Sequence, residues 1–219
     1  MWLYDSFTYV AFITGLIACC YYRPFYFRLI VILLGITLFN EQVFTVYLIG
    51  RLHIHLNIAY NLFSLIDMGI WCYIFFRIYA GRRVQKLILP LTVVIFAYSF
   101  VELCFFKGWH VLHVDSFRVY ESFIILLAII YLYEILKKEY YNLTVDPVFW
   151  MCAACILYHS ILILTFTLRL DAEYWHFTDA KKVFFFLQLI TDASYYLLLC
   201  CMFISGIILS RRESSFRKL

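Results

Sequence analysis

Five carboxyl groups and one imidazole sit inside stretches that are otherwise as apolar as lipid tails: Glu41, Asp67, Glu102, Glu121, Asp192 and His159. A charged side chain at bilayer depth costs about 2.5–3.5 kcal/mol on insertion scales unless it is paired or hydrated, so each is a candidate for holding a proton, a cation or a polar ligand. At about 1.5 Å per residue from the expected outer helix ends, Glu102 is about 5 Å deep and Glu121 about 10 Å. Glu41 falls at about 12 Å, Asp192 and His159 at about 14 Å, and Asp67 near the midplane at about 16 Å. Uncharged polar groups share that register. Asn40 and Gln42 flank Glu41, and Asn57, Asn61 and Ser64 are spaced for one helix face. Gln188, Thr191, Asp192 and Tyr195 are spaced for another.

One explanation is that these groups only join helices, since interhelical hydrogen bonds in membranes contribute about 0.6–2 kcal/mol each. For the set as a whole, four or five carboxyls face one His and Arg118, so internal pairing cannot neutralise them all. Either some hold protons, or water and a cation reach them. Burial and like-charge neighbours both raise carboxyl pKa values. The expectation is therefore an acidic polar cavity open to the outside, with Glu41, Asn57, Asn61, Asp67, Glu102, Glu121, His159, Gln188 and Asp192 as its ligand-binding residues.

The elements that must position them follow from composition. With 65% hydrophobic and 15% charged residues in 219, the apolar surface is too large for a soluble core. Helical spans of about 20 residues are expected at 7–22, 29–49, 56–79, 87–105, 114–136, 148–168 and 183–209. The fold class is thus an all-α membrane protein, a bundle of seven transmembrane helices forming a single domain over 1–219. Loops are short and leave no space for a fused kinase, nuclease or cyclase. The start, Met1-Trp2-Leu3-Tyr4-Asp5, lacks the basic n-region of a secretory signal, so the first apolar stretch is expected to be retained. Twelve of the 18 lysines and arginines fall on one side of the seven-helix layout, which places the N-terminus outside and the C-terminus in the cytoplasm.

The net charge of +4 reflects that basic side and fits attraction to anionic lipid heads. No basic stripe interleaved with aromatics suggests nucleic acid. Aromatics, 21% of the chain, recur near expected helix ends (Trp2, Trp109, Trp150, Trp175) as interfacial anchors. All eight cysteines lie in or at the edge of apolar helices, which excludes a loop disulfide framework. Cys152, Cys155 and His159 share a helix face, with soft ligands suited to zinc or copper. They span about 10 Å along the axis, too far for one ion to take both ends, so helix packing is the expected role and no metal or cofactor is assigned. Glu134 with Lys137 and Lys138, and Arg118 with Glu121, have the spacing of ordinary ion pairs.

The layout resembles small seven-helix membrane proteins of bacteria, some of which look like the membrane modules of sensor proteins. The residues that carry the resemblance are Asn40-Glu41, Tyr60-Asn61 and Asp146-Pro147-Val148-Phe149-Trp150. It implies a bacterial inner membrane but brings no activity, and no site is transferred from it. Retinal proteins need a lysine in the middle of the seventh helix, whereas here Lys181 and Lys182 lie at its edge. Zinc hydrolases of the adiponectin-receptor type need several deep histidines, and this chain has His159. P-loop, Gly-x-Ser-x-Gly and His-Glu-x-x-His motifs are missing.

The function expected from these residues is a receptor-like membrane sensor that binds a small ligand or cation and signals through a cytoplasmic partner. An oligomeric cation channel or pore-forming effector is the alternative, with rings of Glu or Asp selecting ions. An integral-membrane enzyme comes third, since no nucleophile or metal triad accompanies the acid–base groups.

Overall fold

A long apolar run in a bilayer finds no water for its backbone N–H and C=O groups, so it must satisfy them within one helix. The computed structural model describes residues 2–42, 56–137, 142–175 and 180–216. Among these the chain forms helices α1 (Trp2–Tyr21), α2 (Phe25–Phe39), α3 (Leu56–Ile78), α4 (Gln85–Val101), α5 (Val114–Leu136), α6 (Pro147–Trp175) and α7 (Ala180–Phe216), with no strand. Six described segments are long and apolar enough to cross a membrane, and the apolar part of α1, Ser6–Tyr21, is shorter. The outer part of the second expected helix (43–49), together with Arg51, Lys138, Arg217 and Lys218, lies outside the described residues.

The helices group into two compact units, residues 1–31 with 124–219 and residues 32–123. The borders fall inside α2 and inside α5.

In the first unit, glycines on α1 and α7 make room for side chains of α2 and α7. A Cβ on Gly15 would stand 2.6 Å from Val31 Cγ2 and 2.7 Å from Phe203 Cζ. One on Gly206 would stand 2.5 Å from Phe27 Cζ and 2.9 Å from Tyr22 Cδ1. The rings of Phe27 and Phe203 meet edge to face at 5.0 Å, and Ser210 Oγ donates to the Tyr21 carbonyl at 2.9 Å. Helix α6 starts where Asp146 accepts the Val148 N–H at 2.9 Å. Pro147 in the first helical position has no N–H to leave orphaned. Tyr131 Oη also donates to Asp146, at 3.4 Å. A cleft of about 230 Å³ at this end is lined by Asn142, Val145, Asp146, Leu209 and Arg212.

In the second unit, α3 and α4 form a hairpin whose turn uses Gly81 at φ +80°. The Gly81 N–H is held by Gln85 Oε1 at 2.8 Å. Pro90 lies in the second turn of α4 and leaves the Lys86 carbonyl without its helical donor, near the solvated end. Leu87, Leu89, Val93, Val94 and Phe100 of α4 are exposed, as suits a face in contact with acyl chains. Past Val101 the helix widens into a π-helical turn, Glu102–Lys107. Gly108 at φ +76° then reverses the chain toward α5.

Candidate functional site

The second unit brings its polar residues together at the end where α4 gives way to α5. The amides on α3 reach across to the connecting loop. Asn57 Nδ2 donates to the His110 carbonyl at 2.7 Å. Asn61 Nδ2 donates to the carbonyls of Trp109 (3.1 Å) and Val111 (2.9 Å). Three successive loop carbonyls are thereby tied to one helix face, which is the face that the i, i+4 spacing of Asn57 and Asn61 marks in the sequence.

With both amide hydrogens spent on carbonyls, Asn61 Oδ1 must act as an acceptor. It receives the His113 backbone N–H at 3.4 Å and His113 Nδ1 at 2.7 Å. On the other side of the imidazole, Nε2 lies 2.9 Å from Ser64 Oγ. His113 is 4% exposed and Asn61 is fully buried. Burial depresses the pKa of His113 below the ordinary imidazole value, the Glu102 carboxylate pulls it up, and the Lys107 ammonium pushes it down.

Glu102, 3% exposed, serves the N-terminus of α5 from the preceding element. Its Oε2 accepts the Ser116 N–H at 2.8 Å and its Oε1 the Asp115 N–H at 3.3 Å. A carboxylate here satisfies two of the four orphaned donors of a helix start and complements the helix dipole. Lys107 Nζ completes the group, 2.6 Å from Glu102 Oε1 and 2.8 Å from Asp115 Oδ2. Arg118 Nη1 stands 3.9 Å from Asp115 Oδ1. Positions five apart diverge by about 140° on an α-helix. The i→i+5 closure of the π-turn is what lets Glu102 meet Lys107.

Deeper in the same unit, Asp67 Oδ2 accepts the phenol hydrogen of buried Tyr120 at 2.7 Å. Glu121 is 1% exposed and Glu41 half-buried, and each is engaged by neighbouring groups. Asn57 and Asn61 thus hold the loop around His113, Glu102 caps α5 and Asp67 holds Tyr120, with Ser116, whose hydroxyl donates to the His113 carbonyl at 3.3 Å, joining the first two groups.

The first unit places His159 on α6 and Asp192 on α7, 1% and 3% exposed. The stacked rings of Tyr158 and Tyr195, 4.3 Å between centroids, set the register of the two helices. His159 is one residue from that contact and Asp192 three, a single turn along either axis. Thr191 is buried and returns its hydroxyl to the Leu187 carbonyl at 2.7 Å. Gln188 is exposed. Cys152 and Cys155 are buried in the packing of α6. Among the described residues no three His, Cys, Asp or Glu side chains are grouped to hold a metal ion. Lys137 lies over the ring of Tyr133, 4.2 Å from its centroid.

His113 is absent from the sequence-derived site because it lies in a loop beyond the apolar stretches, where the cost of burying a charge gives no signal. Its position two residues before Asp115 at a helix start is the cue that could have drawn attention to it. Comparison with protein-family models, curated proteins and solved structures gives no match for this chain.

Proposed function

We propose that the protein is a sensor-like module of a bacterial plasma membrane, with its N-terminus outside and its C-terminus in the cytoplasm. It binds a small cation, a proton or a polar ligand at buried ionisable side chains. The observation that carries this reading is the burial of two ionisable side chains, His159 on α6 and Asp192 on α7, each within one turn along its own helix of the Tyr158–Tyr195 stack. Maintaining an acid and an imidazole at that depth is costly, and a proton or cation shared at this level would offset the cost.

The output would travel through a partner that meets the basic segments between the apolar helices, such as the turn carrying Arg82 and Arg83. Purified protein in nanodiscs provides the test. Raising Na⁺, K⁺ or Ca²⁺ at fixed ionic strength, or changing pH, should shift the thermal midpoint of the wild type. Asp192→Asn and His159→Gln should remove that response while the protein stays folded. Equal responses in wild type and both variants would overturn the proposal. Ion current through protein-containing liposomes would replace the sensor by an oligomeric cation channel.

A further inference from the structure

The hydrogen bonds around His113 admit two arrangements that differ by one proton. Asn61 settles the first half of the geometry. Its amide hydrogens go to Trp109 and Val111, so its oxygen faces His113 Nδ1, and Nδ1 must carry a hydrogen. The second half turns on Ser64. Its oxygen lies 2.9 Å from His113 Nε2 and also 2.9 Å from the Asn61 backbone carbonyl oxygen. A hydroxyl has one hydrogen and cannot donate to both. With a neutral imidazole, Ser64 donates to Nε2. With an imidazolium, Nε2 donates to the Ser64 oxygen, and the hydroxyl hydrogen swings to the carbonyl of Asn61.

We propose that His113 is a proton-binding site of the α4–α5 loop, in which the Ser64 hydroxyl reverses direction as the proton arrives on Nε2. The loop remains fastened to α3 in both states, because the bonds from Asn57 and Asn61 to the carbonyls of Trp109, His110 and Val111 do not involve the titrating nitrogen. The proton comes from water and no other bond is broken. The added charge acts on the neighbouring ion pair. Glu102 and Lys107 of the π-turn are the charges that bear on His113. Helix α3 faces it with the neutral Asn61 and Ser64, and α5 with the ring of Phe117. Asp115 and Arg118 lie beyond Lys107 in the same chain of ion pairs. An imidazolium therefore draws on Glu102 and repels Lys107 toward Asp115, so that proton uptake reweights the cap of α5. This site stands independently of the reading of His159 and Asp192.

The test is a pH titration of the full-length protein in nanodiscs, labelled with ¹⁵N-histidine, with His113→Gln used to identify the resonance. The neutral side chain should show the hydrogen on Nδ1, and its midpoint should lie below that of an exposed histidine. A hydrogen bond to a charged group is stronger than one to a neutral group, so Ser64→Ala should weaken proton binding by about 3–10-fold, half to one pH unit. Glu102→Gln should lower the midpoint and Lys107→Gln raise it. Finding the neutral hydrogen on Nε2, or a wild-type midpoint equal to that of an exposed histidine, would overturn the proposal without any variant. An unchanged midpoint in both Ser64→Ala and Lys107→Gln would do so as well.

Discussion

Removing the Asn61 side chain should damage the second unit far more than removing that of Asn57, although both are asparagines one turn apart on α3. Asn61 is fully buried and makes four contacts: two amide bonds to loop carbonyls and two accepted from His113. Each amide bond contributes about 0.6–1 kcal/mol net. Orphaning the buried Nδ1–H of His113 adds about 1–3 kcal/mol. Together they put Asn61→Ala at a loss of about 3 kcal/mol, with truncation of the buried side chain adding to it. Asn57 makes one such bond, from a half-exposed position, so Asn57→Ala should cost about 0.6–1 kcal/mol. The assay is denaturant unfolding in mixed micelles, paired with hydrogen exchange over residues 108–113. Asn61→Ala should shift the midpoint at least twice as far as Asn57→Ala and raise exchange in that loop. Equal effects from the two variants, or unchanged exchange after loss of Asn61, would refute the clamp.

The helix glycines should separate by their neighbours. Gly15→Ala and Gly206→Ala, whose Cβ would meet Phe203 and Phe27 at 2.7 Å and 2.5 Å, should each lose about 1–3 kcal/mol by overpacking. Gly69→Ala, where the nearest atom is Phe96 Cζ at 3.6 Å, should stay within about 0.5 kcal/mol in thermal unfolding. Stability should also follow pH through His113. Its folded pKa is depressed, so between that value and the unfolded value near 6.5 the unfolded chain binds the extra proton. This contribution is complete above the unfolded pKa and is lost as pH falls through the window, at no more than about 1.4 kcal/mol per pH unit. Unfolding of His113→Gln against wild type over that range should show this component removed.

Helix positions were legible because hydrocarbon length and backbone satisfaction leave one solution. Helix α5, Val114–Leu136, follows the apolar run to the residue. Helices α6 and α7 extend beyond their expected 148–168 and 183–209, to Pro147–Trp175 and Ala180–Phe216. Apolar length measures only the apolar part of a helix, and the hydrogen-bonded spiral continues past it at both ends. Burial of Glu102, Glu121, His159 and Asp192 was equally readable from its cost. Their partners were not. Glu102 answers to backbone donors 13 and 14 residues on and to a lysine at i+5. Rules built on helical i+3 and i+4 neighbours cannot see either. The asparagines of α3 are spent on carbonyls some 50 residues away, and a carbonyl has no signature in the sequence.

The make-up of the first unit has a consequence for biosynthesis. Residues 32–123 are contiguous, and that unit can assemble as soon as they have left the ribosome. Helix α1 meets Val31 of α2 early but completes its packing late, because Ser210, which bonds to its Tyr21, is made 189 residues later. At translation speeds of about 5–20 residues per second, α1 waits about 10–40 s in the bilayer for α7. During that interval the part of α1 that α7 covers stays open to lipid or to a membrane chaperone, and a nascent chain arrested before α7 would display it indefinitely.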